Sequence, residues 1–407
     1  MPPSLSVARS DLGQIDGQKA RGACPPGRTW LRKSHPPVRR EGLKSLIAFA
    51  ECVLIDLGTR CGVNSTRDMT TVMARVEDEG VSFLTITLST FGKDLQKALD
   101  QGYIDSNQFC GFSRTGGLPR FLSGFLCRVF DSKTGVLLND PSIDCIHSVR
   151  QFTLMWSKML LDCSPARVKA AFDAYIECDR SVTRNDILRS PSDMDRFHSM
   201  SRRLWADVFS RVDKSIYDGR IVPKHGPGST AERILGNRKF DHLDWTSRLD
   251  KMFPLGDFLI PSYSFLPELD AVMLRDPGNE IPVRVVSVPK TLKTPRIIAI
   301  EPVHMQYMQQ AILGEFVSEI GRHDYADDLI GTTDQTPNQR LAREGSERGT
   351  LATLDLSEAS DRVSNQLVRR MLSDHPWLFA AVDATRSRSA DVPGHGVRRL
   401  AKFASMG

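Results

Sequence analysis

The segment LATLDLSEASDRVSNQLVRR, residues 351–370, decides the fold that we predict for this chain. A short buried strand is predicted by three leucines at its start, Leu351, Leu354 and Leu356. One face of a following helix is predicted by apolar residues at helical spacing, namely Val363, Leu367, Met371 and Leu372. Asp355 then lies at the C-terminal end of the strand, where a carboxylate can project into a cleft. Mg²⁺ binds one or two such carboxylates together with phosphate oxygens.

Two aspartates at this strand-to-helix junction, Asp355 and Asp361, are candidate catalytic residues. Asp355 is the candidate metal ligand, although its spacing alone is more typical of an aspartate that caps a helix. The ordinary alternative for Asp361 is an exposed helix residue that pairs with Arg362 or Asn365.

A basic β-hairpin is predicted upstream, over residues 281–300. Apolar alternation indicates a strand from Ile281, residues 289–295 a turn, and residues 296–300 a returning strand. Four cations lie within thirteen residues that include no acid: Arg284, Lys290, Lys293 and Arg296. Such a hairpin can direct several cations into one cleft, but basic hairpins are more often solvated surface.

Composition limits the class of protein. The chain has 407 residues, 40% of them hydrophobic and 25% charged, which allows two or three globular subdomains. A net charge of +5 permits nucleic-acid binding without demonstrating it. The eight cysteines include no Cys-x-x-Cys pair, so free thiols in a reducing cytoplasm are predicted. The longest apolar run, residues 46–57, contains Glu51 and Asp56, and no membrane span is predicted.

Hydrophobic periodicity predicts an α+β fold rather than a regular α/β sheet. The predicted helices cover residues 43–57 (ended by Gly58), 91–99, 192–216 and 302–320. A strand is predicted at 81–88, a polar surface connection at 324–346, and a hairpin at 392–403.

The segment at 351–370 resembles the first palm motif of the RNA-dependent RNA polymerases of single-stranded RNA bacteriophages, the catalytic beta subunits of levivirus replicases. Other stretches resemble the same family and occur in its order: residues 79–93, 116–130, 171–178, 225–228, 287–302, 334–346 and 402–407. The resemblance therefore extends from about residue 43 to the last residue.

The resemblance implies a right-hand polymerase architecture with fingers and the beginning of a palm. Residues 1–42 are predicted to be a basic leader that is disordered or misassigned, 43–280 the N-terminal and fingers region, 281–349 the triphosphate-binding hairpin and helix, and 350–407 the start of the palm. The thumb and the rest of the palm, including a downstream Asp-Asp turn, are predicted to be missing, so the chain alone is predicted to be inactive. The sequence Tyr325-Ala-Asp-Asp328 precedes Asp355 and is interpreted as a surface loop.

The family also implies roles for the candidate residues. Asp355 would bind Mg²⁺, with Mn²⁺ as a substitute, and Asp361 with Asn365 would recognise the ribose 2′-hydroxyl. Ser405 and Gly407 resemble the start of the second palm motif, which approaches template and nucleotide. The triphosphate would be bound by the hairpin cations, Lys290, Lys293 and Arg296, with Arg284.

The activity implied is RNA-directed RNA polymerisation that copies a phage genome. Its partners would be RNA template and product, nucleoside triphosphates, and the host elongation factors Tu and Ts, in the cytoplasm of the infected bacterium. Two alternatives are a reverse-transcriptase-like palm polymerase and a non-catalytic RNA-binding protein built on fingers alone. Extension of a primed RNA by the full-length product, lost in Asp355→Ala without unfolding, would test the polymerase assignment.

Overall fold

The computed structural model describes residues 40–405 except 160, 242, 261, 332 and 333. Gly407 and nearly all of the predicted leader, residues 1–39, lie outside the described residues. The predicted α+β class is confirmed: helices predominate and the sheets are small. No helix in the described part is long and apolar enough to cross a membrane.

Helices and a short hairpin form the first packing unit. Its elements are α1 (Arg40–Cys61), α2 (Thr66–Glu79), α3 (Leu88–Gln101), β1 (Arg114–Thr115), β2 (Leu118–Pro119), α4 (Ser123–Leu126) and α5 (Ile143–Leu154). Their buried side chains form one cluster rich in phenylalanine, which includes Phe83, Phe91, Phe109 and Trp156. Helix α1 continues past the predicted end at Gly58, where a side chain would lie 2.6 Å from the carbonyl oxygen of Val63. Glycine therefore allows the chain to turn back closely after α1.

The predicted strand at 81–88 is wrong, because these residues are helical and include a π-helical turn at Phe83–Thr87. Leu84, Leu88 and Phe91 are all buried, and their spacing of four and three residues also suits one helix face. The hydroxyl of Thr85 donates to the carbonyl oxygen of Val81 at 3.0 Å, as threonine does inside helices. A short apolar run does not by itself show whether its residues repeat with the period of a helix or with that of a strand.

Asp68 provides a test of this core. Its carboxylate accepts a hydrogen bond from the backbone N–H of Leu122 at 2.6 Å, and burial raises the pKa of Asp68 from 3.8 to about 6. Because the folded-state pKa is the higher one, the stabilisation by protonated Asp68 is present below pH 3.8 and lost as the pH rises through about 6. Above pH 6 we expect the free energy of unfolding of Asp68→Asn, which keeps the acceptor oxygen, to exceed that of the parent by about 2–3 kcal/mol.

Chemical denaturation of both proteins at pH 4 and pH 7 measures this difference. The two proteins should be nearly equal at pH 4, and equal stabilities at pH 7 would contradict the assignment.

Two long helices follow, α6 (Pro165–Leu188) and α7 (Pro191–Tyr217). Each begins with a serine N-cap followed by proline, a combination that suits the first turn of a helix. The predicted helix at 192–216 is confirmed. It is more than a surface helix, because Val208, Phe209 and Val212 are buried in a second core cluster with α10 (Val303–Ile320) and α14 (Pro376–Thr385).

The remaining elements are short and surround a small sheet. They are β3 (Asp244–Thr246), α8 (Ser247–Met252), α9 (Leu255–Phe258), β4 (Met273–Arg275), β5 (Val283–Val288), β6 (Arg296–Ile300), α11 (Asp324–Leu329), α12 (Thr336–Arg348), α13 (Asn365–Met371), β7 (Ser389–Val392) and β8 (Gly396–Arg399). Strands β3 and β4 form a parallel pair. The predicted polar surface connection at 324–346 is mostly exposed, as expected, and it contains helices α11 and α12.

The main sheet has the order β6-β5-β7-β8. Strands β5 and β6 form the predicted basic hairpin. Strands β7 and β8 form a second hairpin, at 389–399 and not at the predicted 392–403; each pair is antiparallel. The two hairpins join through a parallel β5–β7 contact, in which Val283 lies opposite Ala390. Helix α6 packs against this sheet through Phe172, Tyr175 and Ile176. The sheet therefore connects the predicted units 281–349 and 350–407.

The predicted buried strand before Asp355 is wrong. Residues 351–356 are not assigned to a strand, and Leu351, Leu354 and Leu356 are 48%, 87% and 74% exposed. A strand requires hydrogen-bonding neighbours. No strand in the described part of the chain pairs with this segment. Asp355 accordingly lies in an exposed, irregular stretch.

Candidate functional site

A cavity of about 240 Å³ lies between α6, the basic hairpin and the segment that follows Asp355. Helix α6 contributes Tyr175 and Cys178 to its wall, among smaller side chains. The hairpin contributes Lys290 and Arg296, which lie on either side of its turn. The cavity thus has a basic side formed by residues that are close in sequence.

The start of α6 holds the hairpin turn in place. Arg167 donates to the carbonyl oxygen of Leu292 at 2.8 Å, and the thiol of Cys163 donates to that of Thr291 at 3.1 Å. Both acceptors belong to the turn between Lys290 and Arg296. These contacts fix the backbone that carries the two cations.

The other side of the cavity includes two carboxylates, those of Glu358 and Asp361, and each of them is paired with a cation. Glu358 has a φ of 55°, in the left-handed region, and its carboxylate pairs with Arg362 at 2.7 Å. A non-glycine residue there is uncommon, and here it turns the chain from the exposed 351–356 segment into the 3₁₀ turn Ser360–Arg362. That turn presents Asp361 to the cavity.

Asp361 is held by a buried lysine. Lys402 has no exposed surface, and its ammonium donates to Asp361 Oδ1 at 2.8 Å. The same ammonium lies 3.3 Å from the centroid of the Tyr175 ring, a cation–π contact. A buried cation with an ionic partner and an aromatic face is well compensated for its lost hydration.

Tyr175 connects this pair to the end of the described chain. Its hydroxyl is hydrogen-bonded to the hydroxyl of Ser405 at 3.0 Å. Burial, reinforced by the negative charge of Asp361, raises the pKa of Tyr175 above its usual range. The phenol therefore stays neutral and keeps its proton for hydrogen bonding.

The backbone around Lys402 is fixed from two sides. The carboxylate of Asp179, on α6, accepts hydrogen bonds from the N–H groups of Ala401 and Lys402, both at 3.0 Å. The guanidinium of Arg386 donates to the carbonyl oxygens of Leu400, Lys402 and Phe403. Burial lowers the pKa of Arg386 to about 10, so the side chain remains charged at neutral pH.

A short antiparallel contact brings the Asp361 and Ser405 segments together. The N–H of Phe403 donates to the carbonyl oxygen of Val363 at 2.7 Å, and the N–H of Asn365 donates to that of Ala401 at 3.1 Å. Residues that are about forty positions apart in sequence therefore meet at one edge of the cavity.

The structure brings some of the predicted site residues together and leaves others apart. Lys290, Arg296 and Asp361 line the cavity, and Ser405 adjoins it through Tyr175. Lys293 is exposed and is not part of the lining. Asn365 lines a separate small crevice beside Phe403. Gly407 lies beyond the described residues.

Arg284 is engaged elsewhere. Its guanidinium donates to the carbonyl oxygens of Ala231 at 2.9 Å and Thr230 at 3.1 Å. Burial lowers the pKa of Arg284. These contacts attach β5 to the segment after the His225-Gly-Pro-Gly turn. The Arg284 side chain therefore stabilises the fold and does not line the cavity.

Asp355 is exposed and makes no hydrogen bond to the described residues. Its carboxylate could therefore accept a cation. No three His, Cys, Asp or Glu side chains in the described part are grouped to hold a metal ion. A magnesium ion at Asp355 would thus take most of its ligands from water and phosphate oxygens, as Mg²⁺ commonly does.

Other motifs of the sequence fall outside the cavity. Tyr325 is 55% exposed and lies in α11, so the Tyr-Ala-Asp-Asp sequence is helical here and not the interpreted loop. The carbonyl oxygens of Gly226 and Gly228 accept hydrogen bonds from the ammonium of Lys239. This turn is therefore stabilised within the fold.

Sequence reasoning assigned no role to Tyr175, Asp179, Arg386 or Lys402. Tyr175 and Lys402 lie in stretches that resemble the phage family, at 171–178 and 402–407. A lone lysine between Ala401 and Phe403, within the predicted hairpin at 392–403, was the available signal. Its acidic partner could not be identified without the fold.

Comparison with known proteins identifies relatives of the C-terminal region. The family described as RNA replicase, beta-chain, matches residues 278–407. The RNA-directed RNA polymerase beta chain of Enterobacteria phage fr is 40% identical over 123 residues, 30% of this chain and 21% of that protein. The RNA-directed RNA polymerase subunit beta of Escherichia virus Qbeta is 40% identical over 124 residues, 30% of this chain and 20% of that protein.

The corresponding beta chain of Escherichia phage MS2 is 39% identical over 123 residues, 30% of this chain and 21% of that protein. The matched segment spans about a fifth of the length of each of these relatives. The C-terminal region of the chain is homologous to the RNA replicase beta chain of these phages, which confirms the predicted family there. For residues 43–277 the resemblance stays a prediction.

Proposed function

We propose that this chain contributes the nucleotide-binding face of an RNA-directed RNA polymerase that replicates a phage RNA genome, with the fingers and the start of the palm of a right-hand architecture. The observation that carries the proposal is the cavity shared by Lys290, Arg296 and Asp361. All three residues lie within the segment homologous to the phage polymerases.

The cavity suits a nucleoside triphosphate because it has two unlike sides. Lys290 and Arg296 can bind phosphate oxygens, arginine as a planar fork and lysine as a mobile charge. Asp361, on the other side, can accept a hydrogen bond from a ribose hydroxyl. Transfer of a nucleotidyl group depends largely on such positioning and charge stabilisation.

Asp355 is the residue proposed to bind Mg²⁺, or Mn²⁺ in its place, and the ion would neutralise charge on the phosphates. Lys293, Arg284, Asn365, Ser405 and Gly407 stay predictions from the resemblance. The same is true of RNA template and product, of elongation factors Tu and Ts, and of the cytoplasm of the infected host as the site of action.

The basic side of the cavity can be tested by binding. We expect the double variant Lys290→Ala/Arg296→Ala to bind ATP and inorganic tripolyphosphate at least about tenfold more weakly, because charge-assisted hydrogen bonds to phosphate are lost. Isothermal titration calorimetry on the folded chain measures the change.

Arg343→Ala is the matched control, since Arg343 is 82% exposed on α12 and pairs with Glu347 at 2.8 Å. It should bind both ligands like the parent. Unchanged affinity of the double variant, or absence of binding by the parent, would refute the proposed triphosphate site.

A further inference from the structure

Lys402 is an unusual lysine because its ammonium is completely buried at the edge of the cavity. Burying a charge is costly unless it is paired and hydrogen-bonded. Its recorded partners are the carboxylate of Asp361 and the ring of Tyr175. Both partners line the cavity, whereas Lys402 lies behind them and does not.

The contact constrains one oxygen of Asp361 and leaves the other available. Lys402 binds Oδ1, and within the described residues Oδ2 makes no hydrogen bond. The Asp361 side chain retains 18% of its surface exposed. An aspartate without this anchor could rotate about its side-chain torsions, so the lysine determines the direction in which the free oxygen points.

The anchor is itself rigid. The lysine backbone is fixed by Asp179 and Arg386, and the ammonium is fixed by the face of Tyr175. Tyr175 remains neutral because burial raises its pKa, so its ring keeps an uncharged face for the cation. Contacts from α6, from Arg386 and from Asp361, which are distant in sequence, thus converge on Lys402.

We propose that Lys402 is a positioning residue that orients Asp361 to accept a hydrogen bond from the ribose 2′-hydroxyl of a nucleotide in the cavity, and so sets the preference for ribonucleotides over deoxyribonucleotides. This inference rests on the proposed triphosphate site. It assigns to Lys402 a role exerted entirely through Asp361, without contact to the substrate.

Charge balance supports the same assignment. A bare carboxylate beside a bound triphosphate would repel it, whereas the Lys402–Asp361 pair is neutral overall. Removing the lysine should therefore weaken the binding of all triphosphates to some extent. The ratio of affinities for ATP and dATP separates the ribose effect from this general repulsion.

The test compares the affinities of the chain for ATP, dATP and tripolyphosphate by calorimetry. A hydrogen bond to a charged acceptor corresponds to roughly a tenfold preference or more, so the parent should bind ATP about tenfold better than dATP. In Lys402→Met this ratio should fall to about one, while tripolyphosphate still binds.

Lys169→Met is the matched control. Lys169 also pairs with an aspartate on α6, Asp173, at 2.8 Å, but its side chain is 78% exposed and lies outside the cavity lining. It should keep the parental ratio. Circular dichroism and thermal melting establish that each variant is folded.

If Lys402→Met does not fold because Asp361 is left uncompensated, Lys402→Met/Asp361→Asn removes both charges together, and its ratio should also be about one. A parental ratio in the folded single or double variant would overturn the role of Lys402 while leaving the triphosphate site intact. A parent that binds neither ATP nor tripolyphosphate would instead overturn the proposed function, and the inference with it.

Discussion

Replacing Arg248 by alanine is expected to lower the free energy of unfolding by about 3–5 kcal/mol, since it leaves a buried carboxylate unpaired. Arg248 binds both carboxylate oxygens of Glu280, at 2.6 and 2.7 Å, and the two side chains are only 9% and 8% exposed. It also donates to the carbonyl oxygens of Asp383 and Arg386, where α14 ends. One side chain thus joins α8, the segment before β5 and the end of α14.

Chemical denaturation of the variant and the parent measures the loss. Arg343→Ala is again the control, because an exposed i,i+4 pair contributes at most about 0.5 kcal/mol. Replacing both partners, in Arg248→Met/Glu280→Gln, should recover much of the stability, since no buried charge remains unpaired. A loss below about 1 kcal/mol for Arg248→Ala would show that Glu280 regains water or another partner.

The second large effect concerns catalysis. For the proposed polymerase, Asp355→Ala is expected to reduce extension of a primed RNA by at least about a hundredfold, because the carboxylate proposed to position a metal on the phosphates is removed. Asp355 is exposed and makes no hydrogen bond to the described residues, so its removal should change stability by no more than about 0.5 kcal/mol.

Asp207→Ala is a suitable control, since Asp207 is an exposed aspartate on α7, away from the candidate site. It should retain full extension activity. A folded Asp355→Ala enzyme that extends RNA at the parental rate would refute the assignment of Asp355. No extension by the parent enzyme would favour the non-catalytic RNA-binding alternative.

Local patterns predict two elements of the C-terminal region well. Alternating apolar residues around a turn rich in proline and threonine predict the hairpin β5–β6. Apolar residues four apart predict a helix over 302–320, and the structure begins it one residue later, at Val303. In both cases the apolar residues that define the local period are also the residues that the fold buries, as Val283, Val285 and Met308 illustrate. Such elements are predictable because the local sequence pattern agrees with burial in the tertiary structure.

The two wrong strand predictions have different physical causes. At residues 81–88 an apolar run satisfied both periods, and packing against Phe91 and its neighbours selected the helix. At residues 351–356 the apolar pattern was real, but a strand is defined by neighbours, and none of the described strands pairs with it. A strand depends on distant hydrogen-bonding partners in a way that a helix does not.

Residue type and order along the chain were sufficient to identify the family of the C-terminal region, the basic hairpin and the acidic segment around Asp361, because these features are local. Tertiary structure alone selected Lys290 and Arg296 from the four hairpin cations, engaged Arg284 elsewhere, and joined Lys402 to Asp361. The reason is geometric: a cavity and a buried ion pair depend on distances between residues far apart in sequence, and local composition does not encode those distances.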